Sequence, residues 1–170
     1  MTYKPRARTD VARAKRQLEE LFELAESLDE ATEVAGEINR YLIIRTCGYL
    51  ERGLLVAARS LCSQKCTTEV LRFSHSFLER GPNPKSAEIV RLVERFSDVW
   101  ARQLQRLLEE EEREERLNAL VGIRNDIAHG KNQGVTRRQA WEYFEVVDLV
   151  VEWLLQRFEP VPGAPPIPGH

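Results

Sequence analysis

Apolar residues along this chain recur every three or four positions almost throughout, and nowhere in a sustained alternation. That is the spacing of helices with one buried stripe, not of half-buried strands. No Asn-Gly or Asp-Gly turn joins two apolar segments, so no hairpin is expected. The pattern predicts an all-α fold: an up-and-down bundle of about five to six helices, forming one domain over residues 10–158.

The first helix is expected from about Asp10, a suitable N-cap, to Leu28, with Leu18, Leu21, Phe22, Ala25 and Leu28 on one stripe. The second is long, from about Glu33 to Cys62, and carries Ile44, Cys47, Leu50, Leu54, Leu55, Ala58 and Leu61. Gly48 and Gly53 interrupt it and mark a kink or a close helix contact. A shorter helix follows over about Thr68 to Glu79 and stops at Arg80-Gly81-Pro82-Asn83-Pro84, the clearest internal loop. From Ser86 a single apolar side runs through Ile89, Leu92, Val93, Phe96, Trp100, Leu104, Leu107 and Leu108. The acidic run Glu109 to Glu115 reads as a solvated face or connection. A fifth helix spans about Glu114 to Ala128 and stops at Gly130. The last is capped by Thr136 and reaches about Phe158, with Trp141, Phe144, Val147, Val151, Leu154, Leu155 and Phe158 facing the core. Residues 159–170 are Pro/Gly-rich and cannot continue a helix, so an unfolded tail is expected there. No internal repeat is present.

Composition adds limits. The 170 residues are 42% apolar and 31% charged, a mix able to build one core. The formal net charge of −2 supplies no global basic field, so a polyanion would have to be held by a local cluster. No apolar run is long enough to span a membrane, and the N-terminus lacks the apolar region of a secretion signal, so a cytoplasmic protein is expected. Three cysteines, Cys47, Cys62 and Cys66, read as reduced thiols. Cys62 and Cys66 share a helix face, but a zinc site needs further ligands and His75 brings none, so no metal is expected.

One stretch carries chemistry: Leu117 to Gly130, ending Arg124-Asn125-Asp126-Ile127-Ala128-His129-Gly130. Its apolar stripe is Leu117, Leu120, Val121, Ile127 and Ala128, and Arg124 falls in the middle of it. A permanent charge there needs a partner or a function. His129 sits where the chain can turn at Gly130. On an ideal helix Arg124 and His129 are about 140° apart, so they converge only if Arg124 reaches along the helix and the last turn swings His129 round. Asn125 and His129, four apart, share a face more naturally. The structural alternatives are a snorkelling or ion-paired arginine and a histidine that merely caps the last carbonyls. Glu51 also interrupts a stripe, aligned with Ile44, Gly48, Leu55 and Ala58. It is a candidate to pair with Arg124 and hold its guanidinium, the alternative being a solvated rim carboxylate.

The segment Arg124-Asn125-…-Ala128-His129-Gly130 resembles the R-x4-H motif of the HEPN family, and with Thr136 and a final amphipathic helix it most resembles the RiboL-PSP-HEPN branch and its MAE-type relatives. The likeness covers most of Asp10 to Phe158. Arg124 and His129 match the family's catalytic pair and Asn125 its polar neighbour. One departure is that HEPN toxins paired with nucleotidyltransferase antitoxins carry a tyrosine two residues after the histidine, where this chain has Lys131.

The resemblance implies a metal-independent endoribonuclease, a toxin or defence effector needing no cofactor, in which the substrate's own 2′-OH attacks phosphorus. His129 would move a proton and Arg124 would stabilise the phosphate. It implies a homodimer that brings two motifs together, RNA as substrate, and an antitoxin or defence protein as a further partner. Lys131, Arg137 and Arg138 follow the motif and are candidates to track the RNA backbone. The alternative is a non-catalytic HEPN module that dimerises or binds RNA or nucleotide. A third reading, a plain helical scaffold or antitoxin-like partner, requires Arg124 and His129 to lie far apart in space and away from any dimer interface.

Overall fold

The computed structural model describes residues 7–78 and 84–160, and these form helices with no strand among them. The helices are α1 (Ala7–Glu26), α2 (Glu33–Lys65), α3 (Thr68–Leu78), α4 (Ser86–Glu94), α5 (Asp98–Glu109), α6 (Arg113–Ala128) and α7 (Arg137–Phe158), with a 3-10 turn at Glu110–Glu112. The all-helical expectation holds. Residues 80–83 of the expected loop and the tail from 161 onward lie outside the described residues, as does Glu79.

Helix α2 is the axis of the bundle. Its 33 residues extend about 50 Å at 1.5 Å per residue. Thr32 starts it by accepting a hydrogen bond from the Ala35 backbone N–H at 3.2 Å. Its most extensive neighbour is α7, followed by α1, with α6 and α3 contributing smaller contacts. Leu42, Ile43, Leu50 and Leu54 of α2 are buried with Phe144, Val147, Val150, Val151 and Leu154 of α7 and with Leu18 and Phe22 of α1. Gly53 marks a close contact: a Cβ placed there would lie 2.7 Å from Val151 Cγ2. Gly48 does not, since nothing lies within 4 Å of its missing Cβ. Neither glycine ends the helix.

Several expected boundaries shift for physical reasons. Asp10 is not the N-cap of α1, which starts three residues earlier at Ala7. There Arg8 donates from its guanidinium to the carbonyls of Leu155 and Glu159, and its backbone N–H donates to the Glu159 carboxylate at 3.0 Å. The start of α1 and the end of α7 thus satisfy each other's unpaired groups. The helix expected from Ser86 is two helices, because the Ser97 hydroxyl accepts from Trp100 N–H at 3.3 Å and opens a new one. The apolar spacing runs on across that break, since Phe96 and Trp100 both pack on Phe158 at ring distances of 5.1 and 5.3 Å.

Three residues assigned to buried stripes face outward: Ile44 and Trp141 are each 41% exposed, and Ala128 is exposed as well. Trp141 instead lays its ring edge-on against Phe22, covering the core from its rim. The acidic segment is a solvated connection. Glu111 and Glu112 adopt positive φ values of 52° and 58°, and Arg113 bridges Glu110 and Glu111 at 2.9 and 3.0 Å. The tight turn folds α6 back so that it runs alongside α2.

Candidate active site

Helix α6 is anchored by Leu117, Leu120 and Val121, all buried. Asn118 on the same helix reaches α4, accepting from Ser86 N–H at 3.0 Å and donating to the Ser86 hydroxyl. These contacts fix the helix so that its next turn brings Arg124 opposite α2.

There the Arg124 guanidinium donates to Glu51 Oε1 at 2.8 Å and to Asn125 Oδ1 at 3.0 Å. The Arg124 and Glu51 side chains each remain 37% exposed, so the pair is anchored within the fold yet open to solvent. Glu51 also faces the Cys47 thiol at 3.9 Å. Burial, reinforced by the Glu51 charge, pushes the Cys47 thiol up to about 11, so it stays protonated and unreactive at neutral pH. Cys47 therefore serves as the apolar floor beneath the ion pair.

His129 is the C-cap residue of α6. The helix closes in a Schellman arrangement: Gly130 N–H donates to Ile127 O at 3.0 Å, and Lys131 N–H donates to Asp126 O at 2.9 Å. Gly130 adopts a φ of +74°, a left-handed conformation that favours glycine. The imidazole is exposed, and among the described residues it forms no hydrogen bond to Arg124. The fold brings Arg124, Asn125 and Glu51 together and leaves His129 exposed to solvent.

Beyond the motif the chain is tied back to α2. Buried Asn39 donates to Val135 O at 3.1 Å, and Arg40 donates to Asn132 Oδ1 at 2.9 Å while pairing with Glu37. Asp126 receives Lys131 Nζ at 2.8 Å and Gln133 at 2.7 Å. The Lys131 ammonium holds the Asp126 carboxyl below the usual carboxylate range, with Gln133 and His129 adding to it. Thr136 and Gln139 then form a reciprocal capping box that starts α7. None of Asn39, Arg40 and Asp126 stood out in the sequence. They are ordinary polar positions on helices, and their partners lie across a loop.

The three cations after the motif have different settings. Arg137 is turned inward: it donates to Ala25 O at 2.6 Å and lies 3.6 Å from Glu30, which covers the open end of α1. Lys131 is exposed but paired with Asp126. Arg138 is the most open, with 89% of its side chain exposed, and pairs within α7 with Glu142 at 3.0 Å. Among the described residues no group of three or more His, Cys, Asp or Glu side chains is gathered as a metal site would require, and no helix is long and apolar enough to cross a membrane.

A family model described as RiboL-PSP-HEPN matches residues 9–158. That span takes in α1 through α7 apart from the first two residues of α1. No curated protein and no solved structure matches the chain.

Proposed function

The chain belongs to the RiboL-PSP-HEPN family, and from that premise we propose that it is a metal-independent endoribonuclease acting as a homodimer. The observation that carries the reading is the state of Arg124. Its guanidinium is fixed by Glu51 on one nitrogen and by Asn125 on another, half exposed, on the helix that ends at an open His129. A guanidinium held by a neutralising carboxylate is a preset anion receptor, because its planar fork can bind phosphate oxygens without first being ordered.

In this reading the substrate 2′-oxygen bonds to the adjacent phosphorus as the bond from phosphorus to the 5′-oxygen breaks. One imidazole takes the 2′-OH proton, and a second acid returns a proton to the leaving 5′-oxygen. The products are a 2′,3′-cyclic phosphate and a 5′-OH end. Arg124 stabilises charge on the non-bridging oxygens, and Asn125 orients the phosphate or His129. An imidazole serves as base or acid near neutral pH, but a single one does not readily serve as both within one step. Because one chain supplies a single His129, a twofold partner completes the site by bringing a second copy of the motif across from the first. Lys131 and Arg138 lie on the solvent side and are the cations suited to the RNA backbone. Arg137 supports them from inside the fold.

A role as toxin or defence effector in the cytoplasm, restrained or triggered by an antitoxin or defence protein, fits such an enzyme. That Arg124 bonds Glu51 and Asn125 and not His129 favours, as a second reading, a non-catalytic dimerising module that binds RNA or nucleotide. Incubating RNA with purified protein in EDTA, beside His129→Ala, distinguishes the two. Wild-type cleavage leaving cyclic phosphate ends, reduced roughly 10² to 10⁴-fold in the variant, is the expected result. Equal cleavage by both proteins removes His129 from the chemistry, and cleavage by neither favours the binding module or an enzyme that needs its partner.

A further inference from the structure

Outside the motif, a groove of about 540 Å³ lies between α1 and α2. Arg13 of α1 and Arg45 and Arg52 of α2 line it against a single carboxylate, Asp10. Among the described residues none of the three arginines forms an ion pair, a state they share with other surface cations such as Arg16 and Arg116, but these three line one groove. In a chain of net charge −2 this is a local basic cluster of the kind a polyanion needs.

Gly48 supplies the second observation. It lines the groove in the middle of α2, where glycine weakens a helix. Gly53 has a reason within the fold, because Val151 occupies the space a Cβ would need. Gly48 has none, since the space above it is open. A glycine there leaves the groove floor clear for something to come close to the helix backbone. Past the groove's end, Tyr41 of α2 is 42% exposed, with the guanidinium of the groove's Arg45 5.8 Å from its ring and donating to its hydroxyl at 3.1 Å. An exposed aromatic ring joined to a guanidinium offers a stacking platform for a base next to cations for the backbone. Glu51, the partner of Arg124, is adjacent to Arg52 in sequence, so the groove and the ion pair lie at the same height on α2.

We propose that the α1–α2 groove is the track along which single-stranded RNA is led to Arg124, its phosphates on Arg13, Arg45 and Arg52 and a base on Tyr41. The proposal deepens the ribonuclease reading and rests on it. Binding is measured in the His129→Ala protein, so that no cleavage enters, by fluorescence anisotropy of a short labelled oligouridylate across a potassium chloride series. Replacing the three arginines together by glutamine should lower the salt slope by about 2, at roughly 0.7 per lost phosphate contact, and weaken binding about 10²-fold near 0.1 M salt. Gly48→Phe, which fills the groove without removing charge, should also weaken binding while the helical circular dichroism is kept. Unchanged affinity and slope in both folded variants overturn the track. So does a Gly48→Phe protein that binds RNA normally but has half the mass in solution, since the strip then belongs to a second copy. The nuclease reading fails separately: if wild type never cleaves yet the arginine variant loses RNA, the groove stands without it.

Discussion

Helix α2 meets its two flanking helices in opposite ways. Toward α7 it gives up a side chain altogether: Gly53 lets Val151 settle against the helix backbone, and Leu50 and Leu54 on either side are shut off from water. Toward α6 it offers a charge, and Glu51 meets Arg124 at 2.8 Å with both side chains still more than a third exposed. The first contact is a fit of shapes in which an added methyl group is felt. The second is an electrostatic contact in water, where the pair's net stabilisation falls to about 0–1 kcal/mol. One side of the helix holds the fold, and the other holds a guanidinium in position at little energetic gain.

The sharpest way to break this comparison is Gly53→Leu. Val151 is β-branched and stiff, so it cannot swing clear of the new side chain, and the helices must part. A loss of about 3 kcal/mol is expected in urea unfolding. A loss below about 1 kcal/mol would mean that the α2–α7 contact is looser than its geometry implies.

Gly130→Ala comes next and tests the link between the end of α6 and His129. A φ of +74° in a residue with a Cβ carries a penalty of roughly 1–2 kcal/mol. The expected outcome is that modest loss of stability together with a larger fall in RNA cleavage, because the Schellman closure that presents His129 is disturbed. If cleavage falls no further than stability accounts for, the position of His129 does not depend on that turn.

Much of this architecture was readable beforehand, and the failures have a common cause. Thr136 and Gly130 announce helix ends through their own backbone chemistry, and both act as expected. Asp10 has the same cap chemistry but is overruled, because Arg8 and Glu159, 151 residues apart in sequence, extend α1 past it. Ser97 was hidden by an apolar period that runs unbroken through Phe96 and Trp100, since both sides of the break pack on Phe158. Ile44 and Trp141 fit their stripes by spacing but lie at the edge, where one residue's rotation decides between core and rim. At the site, Arg124 and Glu51 could be paired in advance because each interrupts an apolar stripe. Asn39, Arg40 and Asp126 could not, because nothing local distinguishes a polar side chain that crosses a loop from one that meets water.

A second polar contact, on the α7 side of α2, gives the comparison a pH axis. Tyr49 donates to Asp148 at 3.0 Å, and Lys15 reaches the other oxygen at 2.7 Å. Burial first, then the Asp148 charge, raises the Tyr49 phenol well above its ordinary value, and the hydrogen bond to Asp148 raises Lys15. The unfolded chain releases the phenol proton near pH 10 while the folded chain keeps it, so stability falls as pH rises past about 10. Lys15 acts in the same direction: its contribution is complete below its unfolded value and is lost as pH climbs through the raised one. Tyr49→Phe should lose about 1 kcal/mol at pH 7 with its hydrogen bond. Its melting temperature should then decline less steeply than wild type between pH 9 and 11. Parallel curves would show that the alkaline loss arises elsewhere.

Glu51→Gln should have the smallest effect on stability, and it separates the two faces of α2 most cleanly. Glutamine keeps the size of the side chain and an oxygen for Arg124, and removes only the charge. With both side chains half open to water, less than about 1 kcal/mol of stability should be lost. The effect on phosphate handling should be larger, because an arginine no longer fixed by charge must be ordered each time substrate arrives, and misplacement of a transition-state donor is felt mainly in turnover. A fall in kcat of about tenfold with little change in KM is expected if the pair presets Arg124 for the transition state. A rise in KM alone would mean that Glu51 shapes substrate binding only. If stability and kinetics are both unchanged, Glu51 is a rim carboxylate that Arg124 happens to meet, and the polar face of α2 has no part in the chemistry.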